Sequence, residues 1–121
     1  MKVKVFDSPV FINASELPGK GLTTPEVLGE LKDLKSKMLA EAGVKKGIVR
    51  VVSPSKQAFE YVMKKLKNVG LSEADFSVLA LAYERKAVLV TDDFNLQNAA
   101  MLLGLEVEPV VRGRIKFIRD V

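Results

Sequence analysis

A chain of 121 residues with 48% apolar content can bury one real core and is too short for two. With no cysteine and no histidine, it cannot form disulfides, zinc–thiolate sites, Ser-His-Asp or Cys-His machinery, or an imidazole acid–base pair. The formal charge of +4 favours a polyanionic partner, and catalysis would have to rest on carboxylates, lysines, hydroxyls or a hard metal.

Along the chain, Lys2 to Phe6 alternate polar and apolar residues and predict a first strand that ends on Asp7. Asn13 to Thr23 reads as loop, broken by Asn13, Ser15, Pro18, Gly19 and Gly21. Thr24-Pro25 is a helix cap with proline at the first position. The apolar spacing of Val27, Leu28, Leu31, Leu34, Met38 and Leu39 carries that helix to a stop at Gly43. Ile48 to Val52 predicts a strand. Ser53-Pro54 then repeats the cap, for a helix through Leu66 that Gly70 ends. Ser72 caps a helix to about Arg85, with Asp75 three residues later as a variant capping box.

Ala87 to Val90 is wholly apolar, as in a strand buried on both faces of a parallel sheet. Thr91-Asp92-Asp93 follows. Phe94 to Leu103 forms the last helix, closed by Gly104, with strands at Leu105–Val110 and Arg114–Ile118. Strands alternating with helices predict a single α/β domain over residues 1–121, a central, mainly parallel sheet with helices on both faces. No apolar run approaches the roughly 20 residues of a membrane span. The N-terminus opens directly into a strand without a signal-peptide layout, so the expected location is cytoplasmic.

Acids recur where open α/β folds build their sites: Asp7 and Asp92-Asp93 at strand ends, Glu26 and Asp75 in first helical turns. Each has an ordinary explanation as a turn, cap or dipole partner. As a set they would converge on one sheet edge. Like charges about 5 Å apart repel by roughly 3 kcal/mol at an effective dielectric of 20, more than a dipole returns. A divalent cation between them would relieve that repulsion, and hard oxygen ligands select magnesium or manganese over zinc. The expected ligands are Asp7, Asp75 and Asp93, with Glu26 holding a coordinated water or a second ion. Ser8 and Thr91 would orient carboxylates or a phosphate, with Asp92 in support. The chemistry this implies is metal-assisted attack on a phosphodiester.

The four-acid layout, with Asp7 closing the first strand and Thr91-x-Asp93 a later one, resembles the PIN-domain nucleases over essentially the whole chain. Thr24-Pro25-Glu26-Val27, Leu71-Ser72-x-x-Asp75 running into Val78–Ala82, and Thr91-Asp92-Asp93-Phe94-x-x-Gln97-Asn98-x-Ala100 are similar to the archaeal Nin-one-binding rRNA-processing endonucleases. The resemblance implies a three-layer PIN-like fold and a magnesium- or manganese-dependent endoribonuclease. The implied substrate is single-stranded RNA at the 3′ end of small-subunit rRNA precursor. The products would be a 5′-phosphate and a 3′-hydroxyl, and homodimers are common among PIN domains. That family usually carries a C-terminal zinc ribbon, for which this chain has no cysteine. Pro9 stands where PIN domains commonly carry a small polar residue.

Arg112, Arg114 and Lys116 share one face of the final predicted strand. They read either as a phosphate-tracking stripe or as charge protecting a sheet edge. Lys20, in the loop before Gly21, could close over RNA. Glu30 and Asp33 lie among lysines on what reads as a solvated helix face; Phe94 and Tyr83 could stack a base, with the core the expected place for Phe94 at its helix start. Two alternatives stand beside the rRNA nuclease: a Vap-type toxin ribonuclease, and a non-catalytic PIN module that binds RNA or protein. A nucleotide-binding domain is disfavoured because no glycine-rich phosphate loop follows any strand.

Overall fold

The computed structural model describes residues 2–14 and 16–110. In chain order the elements are β1 (Lys4–Phe6), α1 (Ser8–Asn13), β2 (Gly21–Thr23), α2 (Pro25–Glu30), α3 (Leu34–Lys45) and β3 (Val49–Val51). They continue with α4 (Lys56–Lys65), α5 (Glu73–Arg85), β4 (Val88–Val90), α6 (Phe94–Leu102) and β5 (Val107–Glu108). The strands pair in parallel in the order β3-β2-β1-β4-β5. The chain first winds outward from β1 through β2 to β3, then crosses back to β4 and β5 on the other side. Right-handed crossovers in these two directions put helices on both faces of the sheet. The reversal falls between β1 and β4, and the carboxyl ends of such strands are where open α/β sheets bind ligands.

The core explains the order. β4 is buried on both faces, and Leu89 and Val90 are fully enclosed. α5 buries every residue from Phe76 to Ala82, so it acts as a central helix rather than an amphipathic surface one. It packs against α2, α4 and both central strands. Phe6 and Phe11 meet edge to face beneath the start of α1. Gly21 is required by this packing, because a Cβ there would stand 2.5 Å from the Phe6 ring.

Several elements depart from the sequence reading. β2 lies inside the stretch read as loop. Its three residues are too few to show alternation, and they are strand only because β1 and β3 flank them. α1 follows Asp7 at once, signalled only by Pro9 in its first turn. The single helix expected from Pro25 to Gly43 is two. Leu31 ends α2 in extended conformation, and Asp33 restarts the chain by accepting from the Ser36 backbone N–H at 3.0 Å.

Gly43 stops nothing. It lies buried within α3, where its missing side chain makes room for Leu17 and Val49. The cap of α4 is Ser55, two residues beyond the expected Ser53. Among the described residues no helix is long and apolar enough to cross a membrane. The expected strand at Arg114–Ile118 lies outside the described residues, as do Arg112, Arg114 and Lys116.

Candidate active site

Asp7 occupies the N-cap position of α1, yet its side chain makes no capping bond. The N-cap side chains of the other five described helices all accept from their own first turn. The Asp7 carboxylate turns instead toward β4. Its backbone N–H donates to the Val90 carbonyl at 3.1 Å, continuing the β1–β4 pairing one residue past the strand. Its Oδ2 accepts from Thr91 Oγ1 at 2.7 Å. Oδ1 is buried without a hydrogen-bond partner. Burial is the main force that pushes the Asp7 carboxyl up to about 6. The charges of Asp75 and Glu30 add to the rise, while hydrogen bonds from Thr91 and the Ser8 backbone oppose it.

Hydroxyls fix the surroundings. Thr23, at the end of β2, donates to the Phe6 carbonyl at 2.9 Å and so holds the peptide before Asp7. Thr24 caps α2 by accepting from the Val27 N–H at 3.2 Å, and it lies 2.8 Å from Ser77 Oγ. Ser77 donates to the Ala74 carbonyl at 2.6 Å, which leaves its lone pair for the Thr24 hydroxyl proton. The turn carrying Glu26 is thereby tied to the first turns of α5, which carry Asp75. Glu26 Oε1 is a second buried carboxylate oxygen without a hydrogen-bond partner.

Asp75 completes a full capping box: Ser72 Oγ accepts from its N–H and Asp75 Oδ2 accepts from the Ser72 N–H, both at 3.1 Å. The cap and site readings of this residue both apply, since its charge also raises Asp7 and Glu30. Glu30, read from sequence as part of a solvated face, is one turn beyond Glu26 on α2. Its carboxyl is raised first by partial burial and then by Asp75, while the Ser8 side chain pulls the other way. The i, i+4 spacing of two acids on a short helix that opens at a strand end was the available signal.

The acids at the β4 end have other commitments. Asp93 Oδ1 caps α6 by accepting from Asn95 N–H at 2.9 Å and Leu96 N–H at 3.4 Å. Its own N–H donates to Thr91 Oγ1 at 3.1 Å, so Thr91 links Asp93 to Asp7. Asp92 is buried, and its Oδ1 accepts from the Val110 N–H at 2.8 Å, fastening the chain after β5. Gln97 Nε2 donates to the Thr91 carbonyl at 2.8 Å and stiffens the same turn.

The structure thus gathers Asp7, Asp75 and the unforeseen Glu30 within electrostatic reach, and Glu26 stands one turn before Glu30 on α2. Among the described residues no three such groups stand at metal-ligand spacing, and Asp75 and Asp93 each commit one oxygen to a helix cap. The donors nonetheless fit a hard cation. All are oxygens, and two buried carboxylate oxygens lack the partner that such groups almost always have.

Lys20 does not border these acids. It precedes β2, at the opposite sheet edge, beside Lys2 and Lys4. Phe94 is not in the core. It is 61% exposed at the start of α6, whose buried residues are Leu96, Ala99 and Ala100.

A family profile described as PIN domain of ribonuclease matches residues 5–84. Endoribonuclease Nob1 of Pyrococcus abyssi is 45% identical over 98% of this chain and 76% of its own length. Endoribonuclease Nob1 of Methanocaldococcus jannaschii is 37% identical over 91% of this chain, which spans 57% of that relative. Ribonuclease VapC3 of Aeropyrum pernix is 38% identical over 85% of this chain and 82% of its own.

Proposed function

The chain belongs to the PIN-domain ribonucleases, as a Nob1-like endoribonuclease, and from that premise we propose how and on what it acts. The substrate is single-stranded RNA at the 3′ junction of small-subunit rRNA precursor. The acids that carry the reaction are Asp7, Glu26, Asp75 and Asp93, with magnesium or manganese as cofactor. The observation that carries this reading is Asp7 itself: a buried carboxylate, uncommitted to its helix, with one orphaned oxygen and two acids of like charge beside it.

Asp7 Oδ1 and Glu26 Oε1 would hold the ion, joined by the oxygens of Asp75 and Asp93 that lie outside their caps. Bound there, a divalent cation lowers the pKa of a coordinated water and offsets charge on the phosphate and leaving oxygen. Thr91 keeps the Asp7 carboxylate in one orientation, and Thr23 and Thr24 hold the backbone on which Asp7 and Glu26 stand. Ser8 lies near enough to Glu30 to orient it. By sequence, Arg112, Arg114 and Lys116 are the candidates to follow the RNA phosphates.

The toxin reading has a relative in VapC3. The higher identity to a Nob1 protein over nearly the whole chain favours rRNA maturation. The deciding experiment is cleavage of a labelled single-stranded RNA carrying the small-subunit 3′ junction, with manganese and with chelator. We expect manganese-dependent cutting at the junction by wild type, lost in Asp7→Asn. Equal cutting of unrelated single strands would move the assignment to the toxin type. Cutting that survives Asp7→Asn would overturn the site.

A further inference from the structure

The sheet edge opposite the acids carries positive charge that the fold balances only in part. At the starts of β1, β2 and β3, an open groove of about 540 Å³ is lined by Lys2, Lys4, Lys20 and Arg50, and no acidic residue lines it. We propose that this groove is a second RNA site, which holds the phosphate backbone of the substrate strand away from the cut. The inference rests on the ribonuclease reading above and adds to it how a long substrate is gripped.

Two of the four cations are already answered. Lys2 pairs with Glu106 and Lys4 with Glu108, from the β5 side of the sheet. The side chains of Lys20 and Arg50 form no ion pair or hydrogen bond among the described residues, and both residues are exposed. Strand pairing brings these two together. Leu22 of β2 lies opposite Arg50 of β3, and the Gly21 N–H donates to the Ile48 carbonyl at 3.0 Å. Lys20 therefore enters β2 beside the start of β3.

Two unmatched cations over an apolar floor suit a nucleic-acid backbone. Lys20 and Arg50 would each neutralise a phosphate, and the counterions released from the RNA favour binding. Arg50 adds a planar fork that meets phosphate oxygens in pairs. Leu22 and Ile48, also in the lining, carry apolar side chains that accept the face of a ribose or a base. A cation on an edge strand also deters pairing with another chain. That role accounts for Arg50 on β3 and leaves Lys20 unexplained.

The position decides what the groove can do. Lys4 and Asp7 stand at opposite ends of β1, about 10 Å apart along the strand. The groove therefore does not touch the scissile phosphate, and only RNA that runs on past the junction reaches it. Such a site tightens binding of a long precursor and not of a fragment trimmed to the junction.

Binding of fluorescein-labelled single-stranded RNA would be measured by anisotropy over a range of salt, in chelator, where no cutting occurs. One RNA covers only the small-subunit 3′ junction, and the other extends well beyond it on both sides. Wild type would be compared with Lys20→Gln, Arg50→Gln and the double variant, each checked for a native melting transition. Lys64→Gln/Lys67→Gln, at the end of α4, removes the same charge elsewhere. The single variants carry the test if the double variant does not fold.

Two phosphate contacts contribute about 1.4 to the slope of log K against log salt for a single strand. The double variant should lose that part of the slope on the long RNA, and each single variant about half of it. Its binding should weaken about 25-fold at about 0.1 M salt, taking the curves to meet near 1 M. The short RNA should be bound alike by all, and the α4 pair should hold the long RNA like wild type. If the double variant binds the long RNA as tightly as a wild type that binds and cuts, this inference fails and the nuclease reading stands. An equal loss on the short RNA, or in the α4 pair, also overturns it, since the cations then act at the cut or through net charge alone. A wild type that neither binds nor cuts overturns both.

Discussion

The two ends of β1 treat charge in opposite ways. Entering the strand, Lys2 pairs with Glu106, and Lys4 Nζ lies 3.0 Å from a Glu108 carboxylate oxygen, so each cation meets an acid across β4. Leaving it, Asp7 meets Asp75 and Glu30, charges of its own sign, within a buried setting. The first arrangement is an ordinary folded surface, where such exposed pairs contribute about 0–1 kcal/mol. The second works against folding and has no explanation in the fold alone. A protein keeps stability low at a place like this when the place has a job, which under the function proposed above would be the capture of a cation and a phosphodiester.

The contrast should break most visibly at Asp7. Its carboxyl stands at about 6 in the folded chain against an ordinary 3.8. Between those values the folded state holds more protons than the unfolded, so stability falls as pH rises through the window and stays low above it. At 1.36 kcal/mol per unit the whole effect is at most about 3 kcal/mol. Urea unfolding of metal-free protein from pH 4 to 8 should show this decline in wild type. Asp7→Asn should lack that component and be the more stable protein above pH 7, while losing cleavage. A wild-type curve flat across that range would remove the strain argument.

Thr91→Val takes away the hydroxyl proton that steadies Asp7. A hydrogen bond to a charged group contributes about 1.5–3 kcal/mol. The variant should be less stable by about that amount at pH 7.5 and by less at pH 4, where Asp7 is protonated. Cleavage should fall by about 10–100-fold, as for other residues that orient ligands without touching substrate. Unchanged cleavage would leave Thr91 as a turn residue.

Glu30→Gln removes a repelling neighbour, so it should act in the opposite sense. The raised Glu30 carboxyl takes stability away as pH rises through its own titration. Its loss should make metal-free protein slightly more stable at neutral pH and move the Asp7 titration toward lower pH. A titration of Asp7 by carboxylate-selective NMR that does not move on substitution would place Glu30 outside the cluster. The smallest effect belongs at the other end of β1. Lys4→Gln should change stability by less than about 1 kcal/mol, shrinking further in high salt, and leave cleavage unaltered.

How far the site is legible in the chain depends on what each residue answers to. The Ser72/Asp75 box and the apolar run before Thr91 are local facts, so their spacing reads correctly and the acids they carry fall at the right edge. Glu30 is not local. Its one signal, the i, i+4 spacing from Glu26, gains meaning only once α2 ends early at Leu31 and brings Glu30 within reach of Ser8 and Asp75. Phe94 misleads for the same reason: its apolar character says core, while the phase of α6 leaves it outside. Asp92 and Asp93 are adjacent and chemically alike. Only the three-dimensional structure shows that one fastens the chain after β5 and the other caps α6.

Composition and spacing alone determined that this is an α/β chain whose catalysis has no cysteine or histidine to draw on and falls to carboxylates, lysines, hydroxyls or a hard metal, because hydrophobic period and residue inventory do not depend on what packs where. Tertiary structure decided the rest. It made a strand of Gly21–Thr23 by pairing it on both sides, and it split a continuous helical pattern at Leu31. It also turned Asp7, one of the six described N-caps, away from its helix toward Thr91. Those outcomes depend on partners distant in sequence, and the energy of a buried charge is set by those partners rather than by its neighbours in the chain.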